Sequence, residues 1–120
     1  MNSILLVVAE NAATRKLIQN ASQQYIVDCY FVSYGVHLAE LVKKMNPFLL
    51  IVEFASQSSD WVVRYLGEIK SSKHMFPIIG IVSPDLEADI IRLQRAGCDH
   101  IVLSTDFQTK IPELIDKYVR

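Results

Sequence analysis

Short unbroken apolar runs alternate along this chain with stretches whose apolar residues recur at helical spacing. Residues 4–8 form a continuous apolar run, long enough for a buried strand and too short for a helix. Thr14, Leu17, Ile18 and Ala21 then fall at i, i+3, i+4, i+7, one stripe of an amphipathic helix that Asn11 is placed to cap. Residues 25–32 are rich in β-branched and aromatic side chains and predict a second strand. Gly35 breaks the chain before the stripe Leu38, Leu41, Val42, Met45, which Asn46-Pro47 stops. Residues 48–52 predict the third strand, with Glu53 at its end.

The alternation continues. Residues 55–59 read as a polar loop with Asp60 as N-cap, ahead of the stripe Val62, Tyr65, Leu66, Ile69. Residues 78–82 predict a fourth strand. Pro84-Asp85 opens a helix carrying Leu86, Ile90, Leu93 and Gln94, which Gly97 ends. Residues 101–103 predict a short fifth strand, and Ile111, Leu114, Ile115 and Tyr118 the last helix, with Pro112 in its first turn. Strands apolar throughout have both faces covered, so the expectation is one α/β domain: a (βα)5 doubly wound parallel sheet with right-handed crossovers. Its length and element count favour the flavodoxin-like strand order 2-1-3-4-5 over a Rossmann order.

Composition narrows the function classes. With 51% hydrophobic and 21% charged residues, the chain has a full core and is not a disordered segment. A net charge of −1 gives no overall field toward nucleic acid or anionic lipid. No apolar run reaches the roughly 20 residues needed to span a bilayer, and the start lacks the basic region of a signal peptide. Cys29 and Cys98 fall in separate regions and read as free thiols of a cytoplasmic protein.

Three segments carry a family resemblance. Leu5-Leu6-Val7-Val8-Ala9-Glu10-Asn11, Pro47-Phe48-Leu49-Leu50-Ile51-Val52-Glu53, and Pro77-Ile78-Ile79-Gly80-Ile81-Val82-Ser83 with the later Ala96-Gly97-Cys98-Asp99, in this order and spacing, resemble the CheY-like receiver domain of two-component response regulators. The likeness spans residues 1–120 and implies a regulatory module, with an output domain such as a transcription regulator beyond Arg120.

The site departs from the family pattern. The resemblance implies an aspartate pair for magnesium after the first strand, where this chain has Ala9 and Glu10. It implies an aspartate phosphoacceptor where Glu53 stands, and a threonine or serine where Val82 stands, with Ser83 one residue on. It implies a lysine followed by proline where Ser104-Thr105 stands, and an aromatic switch residue at Ile101. Magnesium demands near-octahedral oxygen ligation, and Ala9 supplies no ligand. The extra methylene of Glu53 shifts its oxygens by roughly 1 Å, a misplacement worth about a hundredfold in rate. The expectation is a degenerate receiver in a phosphorelay, non-enzymatic and without cofactor, with Glu10 and Glu53 the weak candidates for a cation. The alternatives are an active receiver with an altered phosphate or cation site, Glu53 as a mimic of the phosphorylated state, and an unrelated flavodoxin-like binding protein.

Other chemistry has little support. His37, His74 and His100 share no ligand spacing with one another or with the cysteines. Ser83 and Ser104 lack a histidine placed to activate them. The loop after the first strand, Ala9-Glu10-Asn11-Ala12-Ala13, has no glycine to cradle phosphate, and Glu10 would repel it. Function is then expected on a surface. The resemblance points to the face of helix 4, strand 5 and helix 5, here with Ile91, Arg95, Ile101, Lys110 and Lys117 as candidate contacts. Its mixed charge, Arg92, Arg95, Lys110 and Lys117 among Glu87, Asp89, Glu113 and Asp116, suits a protein partner or a homodimer with cross-subunit pairs. Trp61, beside the serine-rich loop, is a second candidate contact.

Overall fold

The computed structural model describes residues 3–33, 37–54, 59–71 and 76–119. In chain order the elements are β1 (Ser3–Val8), α1 (Ala12–Ser22), β2 (Val27–Val32), α2 (Leu38–Met45), β3 (Leu49–Phe54) and α3 (Ser59–Ser71). After them come β4 (Ile78–Val82), a 3-10 segment (Pro84–Asp89), α4 (Ile90–Ala96), β5 (His100–Leu103) and α5 (Phe107–Tyr118). The strands form one parallel sheet in the order β2-β1-β3-β4-β5, as the apolar runs predict.

Strand periodicity divides the core into two layers. Leu6, Val8, Leu50, Val52, Phe54, Ile78 and Val82 face α2, α3 and α4 through Leu38, Val42, Leu66, Ile69 and Leu93. Leu5, Val7, Ala9, Leu49, Ile51, Ile79 and Ile81 face α1 and α5 through Ile18, Ile111 and Ile115. Glu53 continues the row of Leu49 and Ile51, so its side chain leaves the sheet on the α1 side.

Several boundaries differ from the sequence reading. β3 runs to Phe54, so Glu53 lies inside the strand, paired in register with Ile81. β2 starts at Val27 and not at Tyr25, whose hydroxyl instead donates to Asp116 of α5 at 2.7 Å. α3 begins at Ser59, placing Asp60 in its first turn and not at the cap. The helix expected from Pro84 is broken, because Leu86 has non-helical angles and the first turn is 3-10. Gln94 is consequently exposed while Leu93 is buried. α5 begins at Phe107, so Pro112 lies in its interior and not in the first turn. Gly35, His74 and most of the 55–59 loop lie outside the described residues.

Candidate functional site

The carboxyl edge of the sheet gathers Ala9, Glu10, Glu53, Val82, Ser83 and Ser104, as ligand sites in open α/β sheets are gathered. Ala9 is fully buried in the layer beneath α1, whereas Glu10 is exposed. Ala9 N–H donates to Val32 O at 3.2 Å, and its carbonyl accepts from Arg15 Nε. The Arg15 guanidinium lies 5.7 Å from the centre of the Phe31 ring. A cation of the chain's own therefore stands at the rim of this edge.

Glu53 is committed to the first turn of α1. Its Oε2 accepts from Thr14 Oγ1 at 2.6 Å, and its Oε1 from Asn11 N–H at 3.4 Å. Asn11 is the N-cap, as its position predicts, and its side chain accepts from Thr14 N–H at 3.1 Å. Helix N-termini present unpaired N–H groups and partial positive charge, so a carboxylate is favoured there. Thr14 is buried, and its hydroxyl takes Glu53 as its acceptor. The sequence reading missed Thr14 and Arg15 as site residues. The signal was present: a hydroxyl occupies the first position of an apolar stripe.

The remaining positions are occupied by local structure. Val82 is fully buried and offers no hydroxyl. Ser83 Oγ donates to Asp85, and Ser104 N–H donates to Val82 O at 2.8 Å. Ile101 is half-buried and packs in the α3–α4 layer. No cluster of three or more His, Cys, Asp or Glu residues able to hold a metal occurs among the described residues. At this edge Ala9 gives no side-chain oxygen, Glu10 is exposed, and Glu53 is bonded to the first turn of α1.

On the candidate docking face Ile91 is 62% exposed, and Arg95, Lys110 and Lys117 are exposed. Arg92 pairs with Asp60, linking α4 to α3. Trp61 is half-buried on the core, 4.7 Å from the Tyr65 ring centre, so it serves packing as well as surface. His100 is bonded to the Tyr118 hydroxyl, and His37 is exposed at the start of α2. Both cysteines are free thiols. No helix among the described residues is long and apolar enough to cross a membrane.

No protein-family model matches the sequence, and no curated protein is similar to it. Solved structures are similar over nearly the whole length. A CheY-like protein, TadZ, from Pseudomonas aeruginosa PAO1 superposes with a TM-score of 0.82 at 12% identity, covering 98% of this chain and 99% of that one. A response regulator from Hahella chejuensis gives 0.82 at 16% identity, with 98% and 95% covered. The manganese-bound form of response regulator Rcp1 gives 0.69 at 14% identity, again with 98% and 95% covered. These likenesses establish the CheY-like receiver fold for this chain.

Proposed function

We propose that this chain, built on the receiver fold, is a signalling module of the two-component type that works without aspartyl phosphorylation and acts through protein–protein contacts. One observation carries the reading: the carboxylate at the phosphoacceptor position is already engaged, with Thr14 Oγ1 on one oxygen and Asn11 N–H on the other. Phosphoryl transfer depends on positioning and on neutralising the charge of the phosphoryl oxygens. A nucleophile bonded into a helix terminus is neither positioned nor free to react. Ala9, Val82 and Ser104 supply no second carboxylate, no hydroxyl and no cation for that chemistry.

The docking surface in this reading is the face of α4, β5 and α5. Ile91 is the apolar contact, flanked by Arg95, with Lys110 and Lys117 on α5. A protein partner or an output domain is the occupant, and nucleic acid and membrane are not direct ligands. The protein is non-enzymatic, requires no cofactor, and works in the cytoplasm.

The test is incubation with acetyl phosphate and magnesium, followed by intact mass spectrometry. No adduct is expected on the native chain. A phosphorylated species lost in Glu53→Gln would overturn the reading and restore an active, altered site.

A further inference from the structure

The candidate docking face opens into two hollows that share no lining residue. Ile101, Leu103, Lys110 and Leu114 help to line one, along β5 and α5. Ile91 and Arg95 line the other, a groove of about 470 Å³ between α3 and α4. Its walls are Val63 of α3 with Ala88, Ile91, Arg92, Arg95 and Ala96. The last five recur at i, i+3, i+4, i+7 and i+8, which puts them on one side of the α4 segment. Ile91 is 62% exposed, a large apolar side chain left in water. The lining is otherwise apolar except for the two arginines, and no carboxylate belongs to it.

The positive charge at this groove is only partly neutralised by the chain itself. Asp60 pairs with Arg92, and Asp89 acts on the same guanidinium. Both members of the Asp60–Arg92 pair are well exposed. Such a pair contributes little, so Arg92 can exchange its partner readily. Arg95 has no ion-pair partner among the described residues. Arg64 stands one helical turn beyond Asp60, on the side of α3 turned toward α4, and it has none either.

We propose that the α3–α4 groove docks an acidic segment of a partner protein, which inserts one large apolar side chain between Val63 and Ile91 and sets carboxylates against Arg95 and Arg64. The charge pattern selects this occupant. A guanidinium donates two parallel hydrogen bonds to a carboxylate, a stronger and more directional contact than a neutral pair. A neutral or basic segment would cover the arginines and leave them without an acceptor. A second copy docking groove to groove about a two-fold axis would set arginine against arginine. Phosphate or a nucleic-acid backbone would satisfy the arginines but leave the apolar walls uncovered. The proposal rests on the reading of this chain as a docking module and moves the contact to the α3 side of α4.

The test is a titration of the 120-residue chain, followed by amide NMR shifts, with a synthetic helical peptide carrying leucine on one face and glutamate elsewhere. Saturable binding is expected, with the shifts centred on Val63, Ile91 and Arg95. Arg95→Glu, Arg64→Glu and Ile91→Ser should each weaken it by about tenfold or more. Lys16→Glu makes the same change of charge on α1, at the other face of the sheet, and should leave the binding as it is. All four altered side chains are exposed, so the variants keep the fold. A twin peptide with lysine in place of glutamate should not bind. Absence of saturation with the acidic peptide, or an equal loss in Lys16→Glu, would overturn the proposal. So would a loss in Arg95→Glu without one in Arg64→Glu, which would put the segment on the β5 side of α4. A dimer of the chain that Ile91→Ser abolishes would give the groove to a second copy and overturn it too. The acetyl phosphate assay fails separately: an adduct there refutes the proposed function and leaves the measured groove binding untouched.

Discussion

The Thr14 hydroxyl donates to the Glu53 carboxylate at 2.6 Å, joining the first turn of α1 to the penultimate residue of β3. Thr14→Val keeps the shape and removes the donor, and burial makes a lost hydrogen-bond partner expensive. It should destabilise the fold by about 1–2 kcal/mol. Glu53→Gln keeps an acceptor but loses the charge at the helix N-terminus, for a loss of about 0.5–1 kcal/mol. The double variant should cost less than the sum, because each substitution already breaks the shared bond. Urea midpoints of the four proteins measure this. Strict additivity would show that the two side chains are not coupled.

Much of this was legible in the residues, and the rest was not for identifiable reasons. The five apolar runs gave the sheet because buried parallel strands must be apolar on both faces. The cap at Asn11 was legible because its chemistry is local. The apolar run ends at Val52, short of the end of β3, because the Glu53 carboxylate is satisfied from a helix 39 residues away in sequence. Long-range pairing of that kind leaves no periodic trace. Tyr25 is a second case: its aromatic ring suits a strand, but its hydroxyl finds Asp116 on α5. The position of Ala9 was legible, but the arginine that takes its carbonyl was not.

Asp99 and Ile78 hold each other at the opposite end of the sheet. Asp99 N–H donates to Ile78 O at 2.8 Å, and Ile78 N–H donates to Asp99 Oδ2 at 2.7 Å. Lys70 reaches the same oxygen at 3.3 Å, half-exposed, and adds little by itself. Asp99→Ala leaves the Ile78 N–H without its acceptor and should lower stability by about 1–2 kcal/mol. Lys70→Met should cost under about 1 kcal/mol. Thermal melts of both variants check the order. Equal losses would mean that the ion pair, and not the backbone contact, holds the strand.

Gly97 ends α4 at φ +126°, where a side chain is strained. A Cβ added there would also stand 2.5 Å from Lys70 Cγ. Gly97→Ala should therefore destabilise the protein by about 1–3 kcal/mol. Gly67→Ala is the matched control, since a Cβ there meets nothing within 4 Å and alanine favours the helix. It should leave stability unchanged or raise it by up to about 1 kcal/mol. Chemical denaturation of the pair separates backbone strain from a general intolerance of added methyl groups.

Cys98 gives the fold an alkaline limit. Burial against the β4–β5 pair pushes its thiol up to about 12, the neighbouring Asp99 pushes in the same direction, and Lys70 opposes them. The folded pKa lies above the unfolded value of 9.0, so the folded state keeps a proton that the unfolded chain releases. Stability from this group is fully present below pH 9.0 and is lost as pH rises from there toward about 12. Tyr25 shifts the same way through its hydrogen bond to Asp116, so both groups steepen the alkaline decline. Cys98→Ala should start less stable at pH 7, because a buried side chain is trimmed, yet lose less on going to pH 11. The two stability curves should converge with rising pH. Curves that run parallel would show that the buried thiol does not carry the alkaline sensitivity.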